Sequence, residues 1–272
     1  MVKAAKEAMD VIQAEALTHR FSTAAPFCAC RRQCKRGWAA WLTALADQRV
    51  NGLIPIVIDI LNTRQNLQHI YNSLGQQWPL AFQDYIEQGI VDRVDSIEFD
   101  KLTKIIDPLS YLNNPRYGEQ LGIPKFIINA SSGDFFSPDS LLQYIDDLPG
   151  QNTIHILPNQ RHYVDIKLAG QAISDYYGLF LAHIPVPNIT WSRSSDNRHI
   201  EVTTHFVPEG KVKLWQAYNP TVRDFRIYPT NIHYSETPAT GDCADGQCTY
   251  HLTRNYDDHW IYGPFSGVNL CS

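Results

Sequence analysis

Three side chains spread along the sequence have the types and the order needed for nucleophilic chemistry: Cys34, Asp134 and His162. A thiol attacks a carbonyl once an imidazole takes its proton and a carboxylate holds that imidazole in one tautomer. Cys34 lies in "RRQCKRGW", where Lys35 and Arg36 could favour its thiolate. Asp134 lies in "SSGDFF" and His162 in "PNQRH". Each alone has an ordinary reading. An aspartate in a Ser/Gly loop is as readily a turn former, and His162 could cap the following helix or lie on the surface. Arg36 could bind an anion or anchor a buried carboxylate, although an exposed arginine is the commoner outcome, and His155, within a strand, reads as a packing or surface residue.

The elements that must position these residues follow from the hydrophobic pattern. Val2, Ala5, Met9, Ile12 and Leu17 recur at helical spacing, and Trp38 to Ala46 reads as a second helix. Asn51-Gly52 is a turn, and "LIPIVID" reads as a buried strand closed by Asp59. Asp59 and Asn62 could line a cleft, although turn chemistry explains them nearly as well. A polar helical region is expected from about Leu67 to Gly89. "IPKFIINAS" repeats the buried-strand pattern, and "SPDSLLQYIDDL" puts Ser137 or Asp139 at a helix start. "TIHILP" is a further strand, before a helix from about Val164 to Leu181. Strand and helix alternating in this way predict a parallel α/β sheet. Chemistry in such sheets gathers at the carboxyl ends of the strands, where all three candidates fall. The order nucleophile, acid, histidine is that of the α/β-hydrolase triad.

After "HIPVPNITW", whose prolines suggest a linker, the pattern changes to short alternating segments: "IEVTTHF", "KVKLWQAY", "FRIY", "NIHY", "TYHLT" and "HWIYG". They predict a small antiparallel β-sandwich. Trp191, Trp215, Tyr218, Phe225 and Trp260 could form a binding face on it, or could be its core and rim.

Composition limits what else the chain could be. With 272 residues, 44% hydrophobic and 19% charged, it can bury a substantial core. A net charge of −5 argues against nucleic acid as the main partner. The longest apolar run, 53–61, contains Pro55 and Asp59 and is too short to span a bilayer. Cys28, Cys30 and Cys34 cluster, but no Cys/His pair downstream completes a zinc set, so no metal is assigned. "CADGQC" either closes a loop disulfide between Cys243 and Cys248 or carries two free thiols at a hairpin tip.

The blocks "CKRGWAAWLTALADQRVNGLIPIVIDILN", "IIDPLSY", "IPKFIINAS", "FFSPDS", "YIDDLPG", "LPNQRH" and "LWQAYNPTVRDFR" resemble the PhoPQ-activated pathogenicity-related family over nearly the whole chain. The resemblance implies an α/β-hydrolase-like domain, here 1–186, followed by a small immunoglobulin-like β-sandwich, 187–272. It implies peptidase- or esterase-type hydrolysis of a peptide or ester, no cofactor, and a periplasmic or secreted location, although no signal peptide is visible in this chain. Bacterial members are linked by regulation to virulence. Oligomeric state is left open.

Family members read Gly-Ala-Ser-Lys-Arg-Gly-Trp at the nucleophile elbow, so Cys34 stands where the serine would be, with Arg32 and Gln33 at the small positions. The acid segment has one residue fewer between Asp134 and the Phe pair than the family pattern, whereas His162 matches it as it stands. Codons for Cys30 to Cys34, TGY CGN CGN CAR TGY, read one base later as GYC GNC GNC ART, which permits Gly-Ala-Ser. A stretch translated out of frame would make Cys34 an accident and the product an impaired hydrolase. The resemblance also implies more chain before Met1, making this the carboxyl-terminal portion of a longer ancestor. The alternative is a non-catalytic binding or signalling protein that uses the β-domain.

Overall fold

The computed structural model describes residues 1–19, 27–31, 35–196, 198–208, 212–253 and 265–267. The chain divides into two compact units, Met1–Asn129 with Gly133–His155, and Ala130–Ser132 with Ile156–Ser272.

The first unit is built on a four-stranded sheet in the order β1-β2-β3-β4, with β1 at Phe27–Arg31, β2 at Val50–Pro55, β3 at Lys125–Ala130 and β4 at Asn152–Leu157. β1 and β3 both pair parallel to β2. Lys125 N donates to Gln151 O and Ser131 N to Leu157 O, so β4 runs parallel as well. Every residue of β3 is buried, as a parallel strand covered on both faces requires. Helices α1 (Val2–Thr18), α2 (Lys35–Ala46), α3 (Thr63–Ser73), α4 (Gln83–Glu87) and α5 (Ile97–Ile106) accompany the sheet.

The strand expected through Asp59 ends earlier. Ladder pairing stops at Pro55, and Ile56 keeps a single bridge to Ile128. Val57 then takes φ 48°, a left-handed conformation that crowds a β-branched side chain, while its N–H donates to Ile128 O at 2.7 Å. This turn carries Ile58 against α2, where Gly37 leaves room. A β-carbon on Gly37 would lie 2.4 Å from Ile58 Cγ2. The helix expected over 67–89 is also cut short. Gly75 and Gln76 both adopt positive φ, 69° and 62°, which ends α3 and leaves only the five residues of α4. "SPDS" does lead into a helix start, with Asp139 at the N-cap position of Ser140–Gln143. Two short 3-10 turns, Ser140–Gln143 and Ile145–Asp147, follow it.

Lys125, at the head of β3, is fully buried. Its Nζ donates to the carbonyls of Leu121 (2.5 Å), Ile123 (2.8 Å) and Pro149 (2.7 Å). Burial pushes the ammonium down to about 8, while the three carbonyls favour its charged form.

In the second unit, α6 (Ile166–Leu181) starts at Asp165, whose Oδ1 accepts from Lys167 N at 2.7 Å. Among the described residues seven antiparallel strands follow: β5 (Ile189–Arg193), β6 (His199–Thr204), β7 (Lys213–Gln216), β8 (Ser235–Pro238), β9 (Gly241–Ala244), β10 (Gln247–Thr253) and β11 (Phe265–Gly267). They make two sheets, β5-β6-β10-β9 and β11-β7-β8. Ile200, Val202, Tyr250 and Leu252 of the first share one core cluster with Val212 and with Leu214 of the second. β5 falls within the stretch expected to be a linker. "FRIY" and "NIHY" are not strands. Ile227–Thr230 is an irregular turn in which Tyr228 is extended (φ −113°, ψ 124°), while Phe225 and Tyr234 pack with Ala217 in a separate cluster. Phe225 is therefore core and Trp215 packs against it, whereas Trp191 on β5 is 64% exposed. Trp260 lies outside the described residues.

Cys243 and Cys248 form a disulfide across the β9–β10 hairpin, directly opposite one another in register. Asp245 and Gly246 both take positive φ, 52° and 78°, the two-residue turn that suits this twist. A closed loop this small restricts the unfolded chain by about 2 kcal/mol. Reduction should lower the thermal midpoint by several degrees. The Cys243→Ser/Cys248→Ala variant should start from that lowered value and be insensitive to reductant. An unchanged midpoint on reduction would contradict this.

Candidate functional site

The three candidates are distributed between the units. Cys34 lies outside the described residues. Asp134 belongs to the first unit, half-buried in the bend that leaves β3, and His162 belongs to the second, in the turn that leaves β4. Both therefore follow the carboxyl ends of neighbouring parallel strands. His162 is only 3% exposed, with its ring edge-on to Tyr163 at 5.6 Å. It does not cap α6, a role taken by Asp165.

The loop carrying His162 is fixed by its own backbone chemistry. Asn159 adopts φ 56°, a conformation asparagine tolerates better than most residues. Its N–H donates to Ser131 Oγ at 2.8 Å, and Gln160 O accepts from Ser132 N at 3.0 Å. The Asn159 amide donates through Nδ2 to Tyr234 O (2.9 Å) and accepts through Oδ1 from Tyr234 N (2.7 Å). The asparagine of "PNQRH" thus pins the turn three residues before the histidine. Its sequence signal was an asparagine directly after a strand and Pro158.

A second constellation lies wholly in the first unit and joins residues that spacing alone does not link. Asp59, 2% exposed, accepts from Asn129 Nδ2 on both oxygens (2.9 and 2.8 Å) and from the Tyr144 hydroxyl at 2.5 Å. Burial raises the Asp59 carboxyl to about 6; the hydrogen bonds from Tyr144 and Asn129 oppose the rise, and the charge of Asp139 adds to it. Burial, and then the Asp59 charge, push the Tyr144 hydroxyl well above its ordinary value. Asp139 accepts from His69 Nε2 at 2.8 Å, and Ser73 Oγ lies 3.5 Å from that same nitrogen. A triad needs the serine and the carboxylate on opposite ring nitrogens, so Ser73–His69–Asp139 is not one. Asn62, at φ 52°, donates to Gln143 O at 2.8 Å, and the Asp107 carboxylate accepts from the backbone N–H groups of Thr63 and Leu109. These bonds tie the 57–73 segment to β3 and to the turns that follow Asp134. Among the described residues no three His, Cys, Asp or Glu side chains are grouped to hold a metal ion, and no helix is long and apolar enough to cross a membrane.

The raised Asp59 value has a pH signature. Between the unfolded value, near 3.8, and the folded value of about 6, the folded state binds more protons. The stabilisation this gives is complete below the unfolded value and is lost as pH rises through 6. About 3 kcal/mol is at stake at most. Urea midpoints should therefore fall from pH 4.5 to pH 7.5 by more in the native chain than in Asp59→Asn. Parallel pH profiles for the two would contradict the assignment.

Comparison with known proteins completes the description. A match of 34% identity over 208 residues relates this chain to autocrine proliferation repressor protein A of Dictyostelium discoideum, covering 71% of this chain and 40% of that protein. The chain therefore spans 40% of the length of that relative. Among solved structures, a serine hydrolase involved in carbazole degradation gives a TM-score of 0.28 at 12% identity, covering 54% of this chain and 60% of that one. A meta-cleavage product hydrolase from Pseudomonas fluorescens IP01 gives 0.27 at 15%, covering 54% and 62%. Scores this low decide neither fold nor function. The model of the PhoPQ-activated pathogenicity-related protein family matches residues 1–226, more than half of the chain. On that match, this chain belongs to the PhoPQ-activated pathogenicity-related protein family.

Proposed function

We propose that this chain carries the frame of an α/β-hydrolase-type acyl hydrolase, acting on a peptide or ester, with its catalysis impaired at the elbow. The observation that carries this reading is the succession of parallel strands β3 and β4, with Asp134 on the loop leaving one and His162 on the loop leaving the other. In this reading Cys34 attacks the carbonyl carbon, His162 takes its proton and returns it to the leaving group, and Asp134 holds the imidazole. Water then releases the acyl group from sulfur. Helix α2 begins at Lys35, and in this reading backbone amides near Lys35 stabilise the developing oxyanion. In this reading the impairment comes from Arg32 and Gln33, which stand in the sequence where the family has small residues.

We further infer that 187–272 is a β-sandwich, because strands of its two sheets share one core cluster. The Cys243–Cys248 disulfide supports an oxidising location, periplasmic or secreted. The exposed Trp191 on β5 favours a second reading, a non-catalytic binding role for this domain.

Incubation with p-nitrophenyl acetate, followed by mass spectrometric location of the acyl group, separates the readings. Acyl transfer to Cys34 that slows at least about 10-fold in His162→Ala supports the hydrolase. A folded chain that takes up no acyl group supports the binding role.

A further inference from the structure

Strand β5 (Ile189–Arg193) lies at one end of the sheet β5-β6-β10-β9, so only one of its sides is paired. Its register against β6 tells which backbone groups face the open side. Ser194 N donates to His199 O and His205 N to Asn188 O, and both pairs continue the ladder that sets Trp191 opposite Val202. Hydrogen-bonded and non-bonded pairs alternate along an antiparallel ladder. Thr190 and Ser192 therefore bond to β6, and the N–H and C=O groups of Ile189, Trp191 and Arg193 point away from it. Among the described residues no strand pairs with that side.

The side chains of the same three residues share one face. Trp191 lies opposite Val202 and Arg193 opposite Ile200, and both partners belong to the core cluster, so this is the core face of the sheet. Ile189 packs against that cluster. Trp191 reaches beyond its cover and is 64% exposed, with Arg193 exposed beyond it. No carboxylate pairs with Arg193 among the described residues. Edge strands are ordinarily guarded by proline, by charge or by shortness. β8 ends in Pro238 and holds Glu236, paired with Lys213, and β9 is four residues long and contains Asp242. β5 has no proline, and its one charge stands at the last position.

We propose that the open side of β5 takes up a short extended peptide as an added antiparallel strand, its alternate side chains set against Ile189, Trp191 and Arg193. The proposal rests on the binding reading of this domain and does not depend on Cys34. A five-residue edge is about 17 Å long. Pairing along it alone falls short of the roughly 1,200 Å² that a stable complex of two folded chains buries, so the occupant is a peptide segment and not a second copy. Main-chain bonds hold such a guest, and alternate side chains select it. Opposite Ile189 and Trp191 the guest presents apolar residues, which cover the indole. Opposite Arg193 it presents a carboxylate, the counter-charge that the guanidinium has no partner for within the domain.

Calorimetric titration of the full chain with acetyl-Glu-Thr-Val-Thr-Val-amide tests this. Antiparallel pairing sets its glutamate against Arg193 and its two valines against Trp191 and Ile189. An N-methyl group on the central valine removes the N–H that meets Trp191 O, and should weaken binding about 5-fold or more. The same group on a threonine, whose N–H points away from β5, should change binding less than about 2-fold. Lysine in place of the glutamate should weaken binding about 3-fold, and by less at high salt. Trp191→Ala should weaken it about 5-fold. Trp191→Pro also removes the outward N–H, while Thr190 and Ser192 keep their bonds to β6, and should weaken it further still. Equal binding of the two N-methyl peptides, or of the glutamate and lysine peptides, would overturn the proposal. If that binding still needed Trp191, the domain's binding role would stand without strand addition. No binding of any peptide would overturn the proposal too, and the acylation result would still decide between hydrolase and binder.

Discussion

Replacing Arg32, Gln33 and Cys34 together with glycine, alanine and serine is expected to raise hydrolysis of an activated ester by about 100-fold or more over the native chain. A nucleophile on a tight strand-to-helix turn has side chains on both sides competing for the same space, so its neighbours must be small. The native residues there are a long cation and a long amide. Helix α2 begins at Lys35, Gly37 lets it approach Ile58 closely, and the asparagine lock fixes the loop that carries His162. A positioned histidine base is worth about 100- to 10,000-fold, so the lower end of that range is the least a repaired nucleophile should recover. Cys34→Ser alone should recover much less, because Arg32 and Gln33 still stand where the family has small residues. A folded triple variant with no gain would mean that position 34 is not the nucleophile position.

Gly150→Ala should destabilise the chain by about 3 kcal/mol or more. Gly150 has φ 79°, and a β-carbon there would lie 2.1 Å from the carbonyl oxygen of Gly122. The obstruction is backbone, which cannot swing aside as a side chain would. It also sits where two loops meet: the Leu121, Ile123 and Pro149 carbonyls converge on Lys125 Nζ. Forcing Gly150 away from Gly122 would pull Pro149 off that ammonium and shift the start of β4, the strand that leads to His162. Gly122→Ala is the internal control. A β-carbon at Gly122 meets nothing within 4 Å, so its effect should stay below about 1 kcal/mol. Urea midpoints of the two variants decide the matter. Similar midpoints, or a Gly150→Ala midpoint near that of the native chain, would contradict the close approach.

The parts of this frame that were legible in the sequence are those written locally. The buried runs of β3 and β4 are apolar and rich in branched residues, and turn residues follow both, so Asp134 and His162 could be placed at strand ends before any coordinates. Val57 was not legible, because a β-branched residue amid "IPIVID" reads as strand and its left-handed turn is imposed by packing. Pairings across long separations were equally hidden. His69 meets Asp139 70 positions away, and Tyr144 meets Asp59 across 85. Nothing near either residue announces its partner. Lys125 looked like a polar strand start, since a lysine that binds three carbonyls has no sequence signature. β5 was concealed by the prolines just before it, and "FRIY" imitated a strand although Pro229 supplies no N–H for a ladder.

The most direct test of the central claim, that residue 34 and His162 form a nucleophile–base pair, is the rate of Cys34 alkylation by iodoacetamide against pH. Mass spectrometry would resolve it from the other thiols, in the native chain and in His162→Gln. A partnered thiol should react with an apparent pKa below about 7.5, and loss of His162 should return it to about 8.5. The same profile near 8.5 in both proteins would contradict the pairing, and with it the hydrolase reading of this chain.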